Sequence, residues 1–232
     1  MPTLLLRLAG PLQSWGTASR FDERDTQLEP SKSGVLGLLC AALGRDRAEA
    51  VDDLAGLRMG VRVDREGLPM RDFQTAGGDR DTEKRTLLIA TGKTVNRTVV
   101  SPRHYLADAV FLVGLEGPDA ALLRNLHAAL LRPVWSMALG RKAFVPAAPV
   151  AVVEPPFHGL HPGDLEEALA AHPLLATPRR EHVGRALRTA IEHPSAGAVR
   201  FDQPTGPYAL RLFGPRFVLP GEISHVPEPT DP

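Results

Sequence analysis

The stretch "ALGRKAF" places two cations, Arg141 and Lys142, directly after Gly140. Such a grouping can meet a phosphate, because the glycine lets the backbone come close while the charges flank it. A longer grouping lies upstream. From Lys84 to Ala107 there are five basic residues (Lys84, Arg85, Lys93, Arg97, Arg103) and no acidic one, with threonines between them and an aromatic at each edge, Phe73 before and Tyr105 after. Cations can follow a nucleic-acid backbone while flat rings take unpaired bases, each stack contributing about 1–3 kcal/mol. A solvated turn and a merely basic hairpin are the plain alternatives. His104 beside Arg103 and Tyr105 sets a base next to a cation, the least that a metal-free ribonuclease needs at a scissile phosphate.

Other chemistries find less support. The glycines at 34, 37 and 44 lack the GxGxxG order and fall inside a helical pattern, so no nucleotide cofactor is expected; Gly34 and Gly37 read instead as places where another backbone comes close. The eight histidines form no HxH or HxxxH pair, and His158 and His161 have no carboxylate or cysteine at ligand spacing, so no metal site is expected. There is no GxSxG, and the single cysteine, Cys40, sits in an apolar run and allows no internal disulfide. Basic and acidic residues cancel at 27 each, but from Lys84 to Val153 nine basic residues face three acidic ones, so positive charge is local rather than global. The N-terminal apolar run is interrupted by Arg7 and lacks a basic leader, which predicts neither a signal peptide nor a membrane span, and a cytoplasmic protein.

The elements that would position these residues follow from periodicity. "TLLLRL" reads as a strand stopped by Gly10-Pro11, and "SKSGVLGLLCAALG" as a helix ended by Gly44. "AEAVDDL" adds a turn or two of helix, and "LRMGVRVDREG" alternates as a half-buried strand. "AVFLVGLEG" is an apolar strand, "PDAALLRNLHAALLRP" a helix, and "APVAVVEP" a final strand. This order predicts an α+β fold, the ferredoxin-like or RRM-like β-α-β-β-α-β plan, over residues 1–150. An inserted β-hairpin thumb is expected over about 77–105. A small C-terminal β-rich subdomain over 151–232 is read from a short helix, "GDLEEALAAH", and from strand-like "GRALRTAIEH", "AVRF" and "YALRLFG".

Five motifs, "LLLRLAGPLQSWG", "PSKSGVLGLLCAALG", "MRDFQT", "RHYLADAVF" and "RPVWSMALGRKAF", resemble in order and spacing the CasD subunits of type I-E CRISPR Cascade complexes, of the RAMP superfamily. The resemblance covers roughly residues 1–150. It implies a non-catalytic subunit that binds the 5' handle of the CRISPR RNA and caps that end of the complex. Its neighbours would be the Cascade backbone subunit and the large subunit and, through them, target DNA. Carried over motif by motif, the implied RNA contacts are Gln13, Ser14, Trp15, Lys32, Ser33, Arg71, Phe73, Gln74, Arg103, Tyr105, Gly140, Arg141 and Lys142. Arg85 and Arg97 are added from charge alone. For Trp15, stacking on RNA, bracing the binding loop and lying as a lid over the core all stay open. The alternative function is a metal-free endoribonuclease built on His104 and Tyr105.

Overall fold

Thr3–Ala9, whose leucines are broken only by Arg7, forms β1, covered on both faces. In a strand alternate side chains face opposite ways. Leu4, Leu6 and Leu8 accordingly enter one apolar cluster and Leu5 another. A strand covered on both faces need not alternate, which is why "TLLLRL" is apolar throughout. The computed structural model describes residues 1–17, 23–76, 87–88, 93–95, 98–177, 179 and 184–224.

After β1 come β2 (Leu12–Gln13), α1 (Lys32–Leu43), α2 (Asp52–Ala55), β3 (Arg58–Arg65) and β4 (Leu68–Ala76). Then follow β5 (Leu87–Leu88), β6 (Thr94–Val95), β7 (Val99–Ala107), β8 (Val110–Glu116) and α3 (Ala120–Leu131). The last third holds β9 (Leu160–His161), α4 (Leu165–Ala171), β10 (Leu187–His193), β11 (Ala198–Pro204) and β12 (Phe213–Ile223). The main sheet has seven strands in the order β11-β12-β10-β3-β8-β1-β9. Within it β3-β8-β1-β9, with α1 and α3 packed on one face, is the expected ferredoxin-like core, and the fold is mixed α+β. The smaller α4 covers Leu5 and Leu112 on the other face. Among the described residues no helix is long and apolar enough to cross a membrane.

Three departures from the sequence reading have physical causes. The strand expected in "APVAVVEP" is reduced to a bridge, Leu6 with Ala151, followed by the two-residue β9. Pro149, Pro155 and Pro156 have no amide hydrogen to give to a ladder. "YALRLFG" is a turn until Phe213, and Arg211 has φ 53°, which a strand does not tolerate. The strands of the C-terminal third continue the main sheet: β10 pairs with β3, Ala190 opposite Val61, so the hydrogen bonding runs across residue 150.

The inserted hairpin starts earlier than expected. Its stem pairs β4 with β7 from Leu68–Ala107 to Ala76–Val99, and β2 pairs with β7 to fasten it to the loop after β1. Beyond the stem only β5 and β6, paired with each other, Lys93 just before β6 and Thr98 just before β7 are described.

Candidate nucleic-acid interface

The loop after β1 is held from inside. The Gln13 amide donates to the carbonyls of Leu8 at 3.1 Å and Ala109 at 2.8 Å, and its oxygen accepts from the Trp15 indole N–H at 3.1 Å. Trp15 is 1% exposed and packs in the main core. Its ring lies against Gly34 of α1, where a Cβ would come within 2.9 Å of Trp15 Cε3. The Trp15 amide donates to Thr26 Oγ1 at 2.9 Å, and the Gln27 amide donates to the Trp15 carbonyl at 3.0 Å, so two segments of the connection that leads into α1 are tied together at the backbone of one buried residue. Lys32 is also buried, its Nζ 3.0 Å from both carboxylate oxygens of Glu192. Burial and the pull of Glu192 oppose each other there, and burial prevails, lowering the ammonium pKa. These are corrections: the side chains of Gln13, Trp15 and Lys32 have no surface to offer a ligand. Of the three readings of Trp15, the structure supports a core position that braces the loop.

The second loop, after α3, depends on Gly140. Its φ is 91°, and a Cβ there would overlap the Ser14 carbonyl oxygen. This contact, with the Ser14 amide donating to the Leu139 carbonyl at 3.1 Å, sets the next residue over the hairpin stem. Arg141 donates to the His104 carbonyl at 2.7 Å. Arg24 enters the same place through backbone bonds: its amide donates to the Pro102 carbonyl at 3.1 Å, and the His104 amide donates to the Arg24 carbonyl at 2.8 Å. Three guanidinium groups, of Arg24, Arg103 and Arg141, are thereby gathered. Burial, then the charges of Arg103 and Arg24, lower the Arg141 pKa, and Asp72 and Asp25 only partly oppose them. Concentrated positive charge of this kind favours an incoming anion. Aromatic surface lies alongside: the Arg141 guanidinium is 5.4 Å from the Phe144 ring centre, and Phe144 lies 5.8 Å from Tyr105 at a tilted angle.

Two clefts meet here, both lined by Arg24 and Arg141. One, of about 300 Å³, is bounded by Ser14, the start of α1 (Ser31, Ser33, Gly34) and Tyr208. The other, of about 500 Å³, is bounded by Gln74, Arg103, Tyr105, Lys142 and Phe144. Ser14, Ser33, Gln74, Arg103, Tyr105, Gly140, Arg141 and Lys142 are therefore brought together. Arg71 and Phe73 are not. In β4 they alternate with Asp72 and Gln74, so they lie on the opposite face of the hairpin, where the Arg71 guanidinium sits 4.8 Å from the centre of the Phe73 ring. Arg85 and Arg97 lie outside the described residues. His104 and Tyr105, neighbours in β7, likewise point to opposite faces. Among the described residues no group of His, Cys, Asp or Glu is gathered that could hold a metal ion.

Sequence reasoning missed Arg24, Phe144 and Tyr208. Arg24 sits in the mixed-charge run "FDERD", which gives no net signal. Tyr208 comes from the far end of the chain and donates from its hydroxyl to the Ser33 carbonyl at 2.6 Å, and burial pushes its pKa up. The one available sign was Gly37: a Cβ there would stand 3.7 Å from the Tyr208 hydroxyl, so at both helical glycines it is an aromatic ring, rather than a backbone, that comes close.

The profile of the CRISPR-associated protein (Cas_Cas5) family matches residues 3–219. "CRISPR system Cascade subunit CasD" of Escherichia coli (strain K12) is 35% identical over 153 residues, 60% of this chain; the match spans 65% of that relative, just under two thirds of its length. Among solved structures, one described as "Crystal structure of Cas protein" is 44% identical with a TM-score of 0.77, covering 98% of both chains. A chain of a "CRISPR RNA-guided surveillance complex" is 34% identical with a TM-score of 0.72, covering 95% of this chain and 90% of that one.

Proposed function

We propose, because this chain belongs to the CRISPR-associated Cas5 protein family, that it is a non-catalytic RNA-binding subunit of a Cascade interference complex. In this reading it binds the 5' handle of the CRISPR RNA and caps that end of the complex in the cytoplasm. It adjoins the backbone and large subunits, and through them serves recognition of target DNA. The observation that carries the reading is the convergence of Arg24, Arg103 and Arg141 on one groove edged by Tyr105 and Phe144. Guanidinium groups in such a groove can pair with successive phosphates while rings receive bases. The non-catalytic part draws support from β7: a base and a phenol on opposite faces of one strand do not serve one scissile phosphate.

The test is binding of a repeat-derived handle RNA as a function of salt. Each phosphate neutralised on a single strand contributes about 0.7 to the log–log slope, so replacing both Arg103 and Arg141 by Ala should flatten the slope by about 1.4 and weaken binding. A slope near zero for the unaltered chain would remove RNA from the account. Incubation with repeat RNA in chelator should leave it intact; a defined product abolished by His104→Ala would make the protein an endoribonuclease.

A further inference from the structure

We infer that the N-terminus of α1 is a phosphate site within this groove: one backbone phosphate of the bound RNA sits against the amides of Ser33 and Gly34 and the hydroxyl of Ser31. The inference rests on the RNA-binding reading above and deepens it. The helix is 12 residues long, enough for its aligned peptide dipoles to favour an anion at this end.

Its donors are unevenly used. The first bond of the helix runs from the Val35 amide to the Ser31 carbonyl at 3.0 Å, and the Lys32 amide donates to Asp202 Oδ2 at 2.8 Å. Among the described residues nothing accepts from the amides of Ser33 or Gly34. Serine at the N-cap position ordinarily turns its hydroxyl onto one of these amides. Ser31 does not: it makes no side-chain cap bond, is 2% exposed, and lines the cleft shared with Arg24 and Arg141. The Ser31 hydroxyl thus faces the cleft beside two open amides, and among the described residues none of the three donors has a protein acceptor, which leaves them to an incoming anion.

The surroundings select an anion. Arg24 and Arg141 line the same cleft. Two carboxylates are near and both are engaged. Asp202 accepts from Arg216 at 2.6 and 2.9 Å, and Asp25 Oδ2 accepts from the Thr17 amide at 3.5 Å. Lys32, the cation nearest in sequence, is turned inward to Glu192, so the site holds its phosphate through backbone, hydroxyl and arginine rather than lysine. Contacts of this type carry no base information; they fix where along the groove the RNA sits.

The experiment replaces the phosphates of a synthetic handle RNA one at a time by neutral methylphosphonates and measures Kd for the full chain. With the unaltered protein one linkage near the α1 end of the groove should lose about tenfold in affinity. In Ser31→Ala that linkage should lose the share of its effect that the hydroxyl supplies, a several-fold drop, while linkages read by Arg103 keep their full effect. Ser31→Gly, well tolerated at a helix N-cap, should behave alike and guards against misfolding, as does an unchanged melting temperature. If RNA binds but the linkage profile of both variants parallels that of the unaltered protein, the α1 site is overturned and RNA binding stands. If no linkage matters and binding is flat in salt, both fall.

Discussion

Trp15 and Gly140 show at the scale of single residues how a site can depend on groups that never touch its ligand. Trp15 has its indole N–H on Gln13 and its ring on Gly34, so removing it opens a void under the loop and the start of α1 together. Trp15→Ala should cost about 3–5 kcal/mol in denaturant unfolding, the range for a buried large aromatic, and should weaken RNA binding only as far as it unfolds the protein. Retained stability with lost binding would instead make the ring a direct contact. Gly140→Ala is expected to act the other way. A methyl group there must displace the Ser14 carbonyl, and φ 91° is strained for any side chain, so Arg141 leaves its place above His104. RNA affinity should fall as far as in Arg141→Ala, measured by titration at one salt concentration, because the same guanidinium is lost from the groove.

Helix α1 reaches its place through charges on the C-terminal strands as well as through its apolar face. Lys32 meets Glu192 of β10, its amide meets Asp202 of β11, and Glu29 just before the helix meets Arg188 of β10 and Arg200 of β11. Burial raises the Glu29 pKa, but the two guanidinium groups outweigh it and hold the carboxyl below its ordinary value of 4.5. A carboxyl whose native pKa is depressed stabilises the fold fully above its unfolded value, and that stabilisation is lost as pH falls through the native one. Glu29→Gln should therefore destabilise by about 3 kcal/mol or less at neutral pH, since its arginines are partly exposed, and the gap to the unaltered protein should close below pH 4.5 in acid unfolding curves. A gap constant with pH would mean that Glu29 acts by shape alone. Such ties join residues far apart in the chain, which is why they were not legible in the sequence. What was legible had local pattern: the leucines of β1 and α3, the Gly44 stop, and the glycine-cation triplet at 140–142. β4 was missed because most of its residues are exposed, which leaves no alternation to read. β12 was missed because Pro215 and Pro220 argue against an inner strand, although Pro220 opposite Ala190 is accommodated there.

The whole molecule should then behave as one cooperative unit. The seven-stranded sheet crosses residue 150, and Ala190 and Val218 belong to the same apolar cluster as Leu4 and Trp15. The polar interior makes the same demand. Arg62, fully buried in β3, donates to Asp64 at 2.6 and 2.8 Å, to the carbonyls of His172 at 2.6 Å and Pro173 at 2.9 Å, and to that of Leu169. A chain ending at residue 150 keeps Arg62 and Asp64 but loses all three carbonyls, and it keeps Lys32 but loses Glu192. Leaving buried charges without their hydrogen bonds costs about 3–5 kcal/mol for each broken pair, comparable to the entire stability of a small domain. The full chain is thus expected to melt in a single transition with equal calorimetric and van't Hoff enthalpies. The truncated chain should show no cooperative transition, no near-ultraviolet circular dichroism and strong dye binding, the signs of lost side-chain packing. A cooperative melt for residues 1–150 alone would show that the ferredoxin-like core supports itself, and that the C-terminal strands serve only to present Tyr208 and the Asp202 carboxylate to α1.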